Sequence, residues 1–203
     1  MIIDITMPLK HGMAHYPGDP DIIFEKVLDV HSGDPVNLQR LSFGSHSGTH
    51  VDAPYHLLPN GKRIGELPVD CFIGKAKVFA FDSDIRAAQL KGLDIEADDI
   101  VLFKTTKNRQ LDEGYDPDHV SVLPCAAQRL ADIGVRAVGI DCLSIESDPA
   151  LETHRILLGS GIPIIEGLNL NEAEPGTYRM TGMVMRIEDS DGAPIRAMLE
   201  TLE

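Results

Sequence analysis

Pro124-Cys-Ala-Ala-Gln-Arg-Leu-Ala-Asp-Ile-Gly134-Val-Arg-Ala-Val-Gly-Ile140-Asp141 changes its structural signals midway. Proline suits the first turn of a helix, where its missing N–H would have no partner anyway. The segment therefore predicts a helix from Pro124 to Ile133, stopped by Gly134. Val135 to Ile140 then reads as a strand with Asp141 at its carboxyl end. The pattern recurs downstream. Asp148-Pro149 has the form of an N-cap followed by proline at the first helical position. That helix is expected to run through Leu151, His154 and Leu158 and to stop near Gly159 or Gly161, and Ile162 to Ile165 is the next strand, interrupted by Pro163. Helices alternating with short apolar strands place the chain in the mixed α/β class.

Outward from this centre the chain reads mostly as β. Ile22 to Val30, Val36 to His46, Lys75 to Phe81 and the apolar run Ile100 to Phe103 are strand candidates, and Asp84 to Lys91 reads as a short helix stopped by Gly92. Tyr178 to Glu188 and Ala193 to Leu199 read as two closing strands, with Asp191-Gly192 as the turn signal between them. Lys104 to Val120 is the one long polar stretch and is expected to be a surface loop. Two hundred and three residues with 43% apolar and 25% charged types fit one globular domain spanning 1–203.

Charge and cysteines narrow the function classes. A formal net charge of −14 disfavours a nucleic-acid partner, since that affinity rests on Lys and Arg neutralising phosphates. No apolar run approaches the ~20 residues of a membrane helix, and Met1-Ile-Ile-Asp4 lacks the basic start of a secretory leader. Cys71, Cys125 and Cys142 are odd in number and none is spaced C-x-x-C, so each reads as a reduced, small buried hydrophobe in a cytoplasmic protein.

Three of the eight histidines fall within His46-Ser-Gly-Thr-His50-Val-Asp52-Ala-Pro-Tyr-His56. In an extended stretch, a period of two puts His46, His50, Asp52 and His56 on one face. Imidazole nitrogen beside carboxylate oxygen is the donor set of a zinc, manganese or iron site. Gly48 leaves room for close approach, and Pro54 marks where a strand should end.

This motif resembles the signature of the cyclase family of metal-dependent hydrolases, which includes bacterial kynurenine formamidase and the isatin hydrolases. The resemblance extends to Asp4-Ile-Thr-Met-Pro8-Leu9, Tyr16-Pro-Gly-Asp19, Val138-Gly-Ile-Asp141 with Ser144, and the pair His154 and Glu166. It implies a single domain with a barrel-like β core flanked by helices, of the swivelling β/β/α type. It also implies a homo-oligomer, dimer or tetramer. For the site it implies one divalent ion on His46, His50 and Asp52, and the Irving–Williams order puts zinc before manganese among nitrogen donors. A second ion, where bound, would sit on Asp52, His154 and Glu166, with His56 as general acid/base. Asp52 has two oxygens and could bridge ions ~3.5–4 Å apart. The implied reaction is attack of an ion-activated water on a small formamide or cyclic amide, with the arylformamidase reaction foremost and isatin-type lactam opening as the alternative.

Weaker signals surround this core. Tyr16 is a pocket candidate, and Tyr55 and Phe43 read as core. Asp141 reads as capping or turn chemistry, with orientation of a ligand imidazole as the other reading. Lys104, Lys107 and Arg109 could attract a substrate carboxylate if their loop borders the site, although a solvated loop is the plainer reading. Two other classes stay open. His50, Asp52 and His154 also make a two-histidine, one-carboxylate set suited to an iron oxygenase. A metal-binding protein without turnover is the third, although it has no use for His56.

Overall fold

The computed structural model describes residues 1–105 and 114–202. Among the described residues, ten strands and three helices follow one another: β1 (Ile2–Asp4), β2 (Ile23–Leu28), β3 (Leu38–Ser42), β4 (His50–Asp52), β5 (Ile73–Phe81), α1 (Ala87–Leu90), β6 (Ile100–Thr105), α2 (Pro124–Ile133), β7 (Ala137–Ile140), α3 (Glu152–Gly159), β8 (Ile164–Glu166), β9 (Gly176–Val184) and β10 (Gly192–Thr201). Seven strands close on themselves in the order β10, β4, β8, β7, β6, β5, β9 and back to β10, and β1 lies along the far half of β10. β5 to β8 are mutually parallel and every other pairing is antiparallel. The mixed α/β class and the barrel-like core are both as expected.

Strand parity explains why the barrel is both filled and covered. Ile100 and Leu102 join Val51, Ala76, Ala137, Ile165, Met180 and Ala197 in a cluster drawn from all seven strands, the barrel interior. Val101 and Phe103, on the opposite face of β6, pack with Val138, Ile140 and Ile164 against Ala127 and Leu130 of α2 and Leu157 of α3. A strand buried on both faces reads as an unbroken apolar run, as Ile100–Phe103 does.

Most elements fall where the sequence places them, α2 to the residue, with Gly134 at φ 79° as its C-cap. Four details differ. The helix predicted from Asp148-Pro149 begins at Glu152, because Asp148 instead closes a turn onto Ala150 and Leu151. The short helix predicted over Asp84 to Lys91 is one turn, as Ile85 bridges to Val122 instead. Of the predicted polar loop, Lys104 and Thr105 belong to β6, residues 106–113 lie outside the described residues, and His119 and Val120 are buried. Cys142 is buried as expected, but Cys71 is half-buried and Cys125 exposed, Cys125 lying in the first turn of α2.

Candidate active site

The histidine stretch is not one extended strand. Only His50–Asp52 is β; His46 lies in the turn before it, where Gly48 has φ 65°, and His56 closes the 3₁₀ turn Pro54–His56. Three backbone shapes therefore bring together what strand alternation was expected to align. In β4, Val51 faces the barrel interior, so its neighbours His50 and Asp52 face outward, toward α3. The antiparallel register sets Glu166 of β8 directly opposite His50, on the same face. On the other side β10 sets Gly192 opposite Asp52. A Cβ at Gly192 would lie 2.9 Å from His46 Cε1, so glycine leaves the space that His46 occupies. Gly167, at φ 64°, likewise lets the chain after Glu166 pass against the Gly48 carbonyl.

The structure brings all six predicted polar residues together. His50 Nε2 lies 3.4 Å from Asp52 Oδ1 and 3.4 Å from Glu166 Oε2. His154 Nε2, from α3, lies 3.5 Å from Asp52 Oδ2 and 3.2 Å from Glu166 Oε1. His46 Nδ1 is 2.7 Å from Asp52 Oδ1. Ligand-type atoms fall into two nests sharing Asp52: His46, Asp52 and His56, and His50, Asp52 and Glu166, each within 4.8 Å. His50 thus groups with Glu166 rather than with His46, and His56 joins the first nest.

Two carboxylates that sequence reasoning missed hold the rings from behind. Glu146, 3% exposed, accepts from His154 Nδ1 at 2.7 Å and from the backbone N–H groups of His154 at 2.8 Å and Thr153 at 3.0 Å. It caps the first turn of α3 and leaves His154 Nε2 facing the cluster. Asp191 accepts from His46 Nε2 at 2.8 Å and His56 Nδ1 at 3.2 Å. The one sequence signal for Glu146 is an acid shortly before a helix; Asp191 was hidden by its reading as a turn residue.

Electrostatics show what the cluster demands. Burial works against charge on His46, but the Asp52 carboxylate, joined by Asp191, outweighs it and the ring is pushed up to about 10. Burial opposes charge on His50 too, and Asp52 and Glu166 push it up to about 9. Burial would raise the Asp52 carboxyl, yet His46, His154 and His50 hold it well below the usual carboxylate range. The nest of buried carboxylates thus calls for positive charge at its centre. Buried His50 Nε2 and Asp52 Oδ2 have no hydrogen-bond partner among the described residues. Orphaned nitrogen and oxygen donors aimed into one carboxylate-rich point fit a divalent cation.

The cluster floors a cavity of ≈ 290 Å³ walled by Tyr16, Asp19, Leu143, Ser144, Pro149 and Leu151. Tyr16 lines this cavity and meets Tyr115 edge-on at 4.9 Å. Tyr55 and Phe43 are only half-buried, with Arg63 over the Tyr55 ring. Asp141 is buried, both its oxygens accepting from the N–H of Thr105 at the end of the neighbouring strand β6 rather than from a helix or a turn, and burial pushes it up to about 6. Lys104 is tied to the carbonyls of Asn171 and Ala173 and does not line the cavity; Lys107 and Arg109 lie outside the described residues.

Fold and site together define a metal-dependent amidohydrolase. The family model described as "Putative cyclase" matches residues 3–147, and the chain belongs to that cyclase family. It is 33% identical to the kynurenine formamidase of Salinibacter ruber, over 98% of this chain and 96% of that one. A solved structure described as a "predicted metal-dependent hydrolase" from Bacillus stearothermophilus superposes with a TM-score of 0.85 at 31% identity, covering 98% of this chain and 97% of that one. Isatin hydrolase A from Labrenzia aggregata shares the fold, with a TM-score of 0.85 at 20% identity over 100% of this chain and 94% of that one.

Proposed function

We propose that this enzyme hydrolyses the formamide of an aryl amine, N-formylkynurenine first, using zinc or, failing that, manganese. The observation that carries the reading is the pair of orphaned atoms, His50 Nε2 and Asp52 Oδ2, at the floor of a cavity walled by Tyr16 and apolar side chains. In this reading His46, His50, Asp52, His154 and Glu166 hold one or two ions, with Asp52 common to both nests. A bound ion would lower the pKa of a water toward ~7 and polarise the formyl carbonyl. The chain's own side chains do the rest. The apolar wall of Leu143 and Leu151 excludes bulk water, and Tyr16 offers a face to the aryl ring. His56 moves the proton to the departing nitrogen, a step worth ~10²–10⁴-fold for a positioned acid/base. No Lys or Arg lines the cavity among the described residues, while Asp19 does. That suits the ammonium group of an amino-acid substrate.

The test is metal analysis followed by hydrolysis assays with N-formylkynurenine and isatin. Cleavage of the first supports the reading, cleavage of isatin alone replaces it with lactam opening, and cleavage of neither by fully metallated protein refutes turnover of this kind. Iron content with substrate-dependent oxygen uptake would point to an oxygenase instead. His56→Ala should keep its metal and lose most turnover; loss of the metal would make His56 a ligand.

In the same reading the chain works as one domain, in the cytoplasm, as a homo-oligomer. No helix among the described residues is long and apolar enough to cross a membrane, and the three cysteines are free thiols. Support for self-association comes from the β2–β3 hairpin, a separate two-stranded sheet with Val27, Leu38 and Leu41 exposed. Such a hairpin is marginal in water without a cover, and a second copy would supply one. Sedimentation of the wild type against Leu38→Lys/Leu41→Lys checks this, with a monomeric wild type refuting it.

A further inference from the structure

Asp191 sits where the sequence suggests only a turn, yet its carboxylate takes no part in turn bonding. The turn is closed by neighbours: Ser190 Oγ donates to the Gly192 carbonyl. The Asp191 side chain instead reaches across 135 to 146 residues of chain to three side chains of the histidine segment. Oδ1 accepts from Ser45 Oγ at 2.9 Å, and Oδ2 accepts from His46 Nε2 at 2.8 Å and from His56 Nδ1 at 3.2 Å. The two rings lie 4.2 Å apart between centroids. The backbone holds the carboxylate in place, since the Asp191 carbonyl accepts from the Ala53 N–H at 2.9 Å and the Ser190 carbonyl from the Ile64 N–H at 3.0 Å. Gly192 then gives His46 the room to lie there.

We propose that Asp191 is a positioning residue whose one carboxylate oxygen fixes the tautomers of both His46 and His56; this rests on the amidohydrolase reading above. An ionised carboxylate can only accept, so each nitrogen facing it carries the hydrogen, and a neutral imidazole carries only one. In the metal-free protein the same rule puts a hydrogen on His46 Nδ1 as well, which faces the Asp52 carboxylate at 2.7 Å; a bound cation would displace that hydrogen, and Asp191 would keep the one on Nε2, leaving Nδ1 as the donor lone pair. His56 keeps a bare Nε2 on the ring edge away from Asp191, on a side chain that lines the cavity. That is the form a proton acceptor needs. Ligand histidines are commonly oriented by a carboxylate behind them. Here one carboxylate serves a ligand and the acid/base together, coupling metal affinity to proton transfer.

Ring ¹⁵N NMR of the zinc-loaded wild type decides the proposal without any variant. The expected result is the Nε2–H form of His46 and the Nδ1–H form of His56; the opposite form of either ring overturns it. In Asp191→Asn the amide nitrogen can donate to His56, favouring the wrong tautomer. That variant should bind Zn²⁺ about 10–100-fold more weakly in chelator competition. It should also lose about 10²-fold in kcat with KM within twofold. Asp191→Glu, which keeps the charge, should recover part of both. Asp191→Asn with unaltered tautomers and zinc affinity within twofold of wild type would leave Asp191 a turn residue only. If the wild type cleaves no formamide, the substrate reading fails, while the tautomers and zinc affinity still decide the role of Asp191.

Discussion

Replacing Glu146 with alanine separates a scaffold that merely carries histidines from one that holds them. Glu146 takes three hydrogen bonds, from His154 Nδ1 and from the His154 and Thr153 backbone N–H groups, at 2.7–3.0 Å. The two N–H groups belong to the first turn of α3 and have no partner within the helix. The side chain is 3% exposed, so water does not readily replace it. Loss of a helix cap costs about 1 kcal/mol, and each buried donor left without an acceptor costs about 1–3 kcal/mol. With the cap covering the two N–H groups and His154 Nδ1 left as the orphaned donor, these give a destabilisation of about 2–4 kcal/mol, and a lowering of Tm by roughly 4–16 °C for a domain of this size. The measurement is urea and thermal unfolding of metal-free protein, with zinc affinity by chelator competition alongside. Glu146→Gln keeps one acceptor oxygen and should lose less stability. It should still bind zinc about tenfold more weakly, because one amide oxygen cannot serve all three donors. A Glu146→Ala variant within about 1 kcal/mol of wild type, with unchanged zinc affinity, would refute the reasoning.

The metal-free protein should be most stable with its rings protonated. His46 and His50, raised to about 10 and about 9, contribute stability that is fully present below their ordinary 6.5 and is lost as pH climbs through 9 to 10. Melts of chelator-treated protein between pH 6.5 and 10 check this, and a curve that rises across that window counts against it. Zinc must displace those protons, so its apparent affinity should increase over the same range. Gly192→Ala would place its Cβ 2.9 Å from His46 Cε1 and 2.8 Å from the Val51 carbonyl oxygen. Because the second neighbour is backbone, the expected cost is about 1–3 kcal/mol together with weaker zinc binding, read by unfolding and chelator competition. Tyr16→Ala should raise KM about tenfold while leaving kcat within threefold and zinc content unchanged, if the ring only offers packing surface; an equal fall in kcat would assign it a part in the chemistry.

Local order was legible wherever a few adjacent residues decide it. Pro124 and Gly134 bound α2 because one lacks an N–H and the other tolerates a left-handed φ. Ile100–Phe103 declared a strand covered on both faces. The donor set His46, His50, Asp52, His56, His154 and Glu166 was legible too, by composition and family resemblance, though its geometry was not. Alternation predicted one face of one strand, and Gly48 and Pro54 break that strand on either side of β4. The start of α3 was misplaced because its cap is not the adjacent Asp148 but Glu146, six residues before Glu152.

The chain by itself determined the α/β class, the family and which histidines and carboxylates are candidates for one site, because these depend on residue types and short spacings. Only the closed barrel decided which atoms meet. The β4–β8 register sets Glu166 beside His50, and the β10–β4 register carries Asp191 to His46 and His56 across 145 and 135 residues of chain. Such partners leave no local pattern, since a hydrogen bond between distant strands is fixed by register and closure rather than by sequence neighbours.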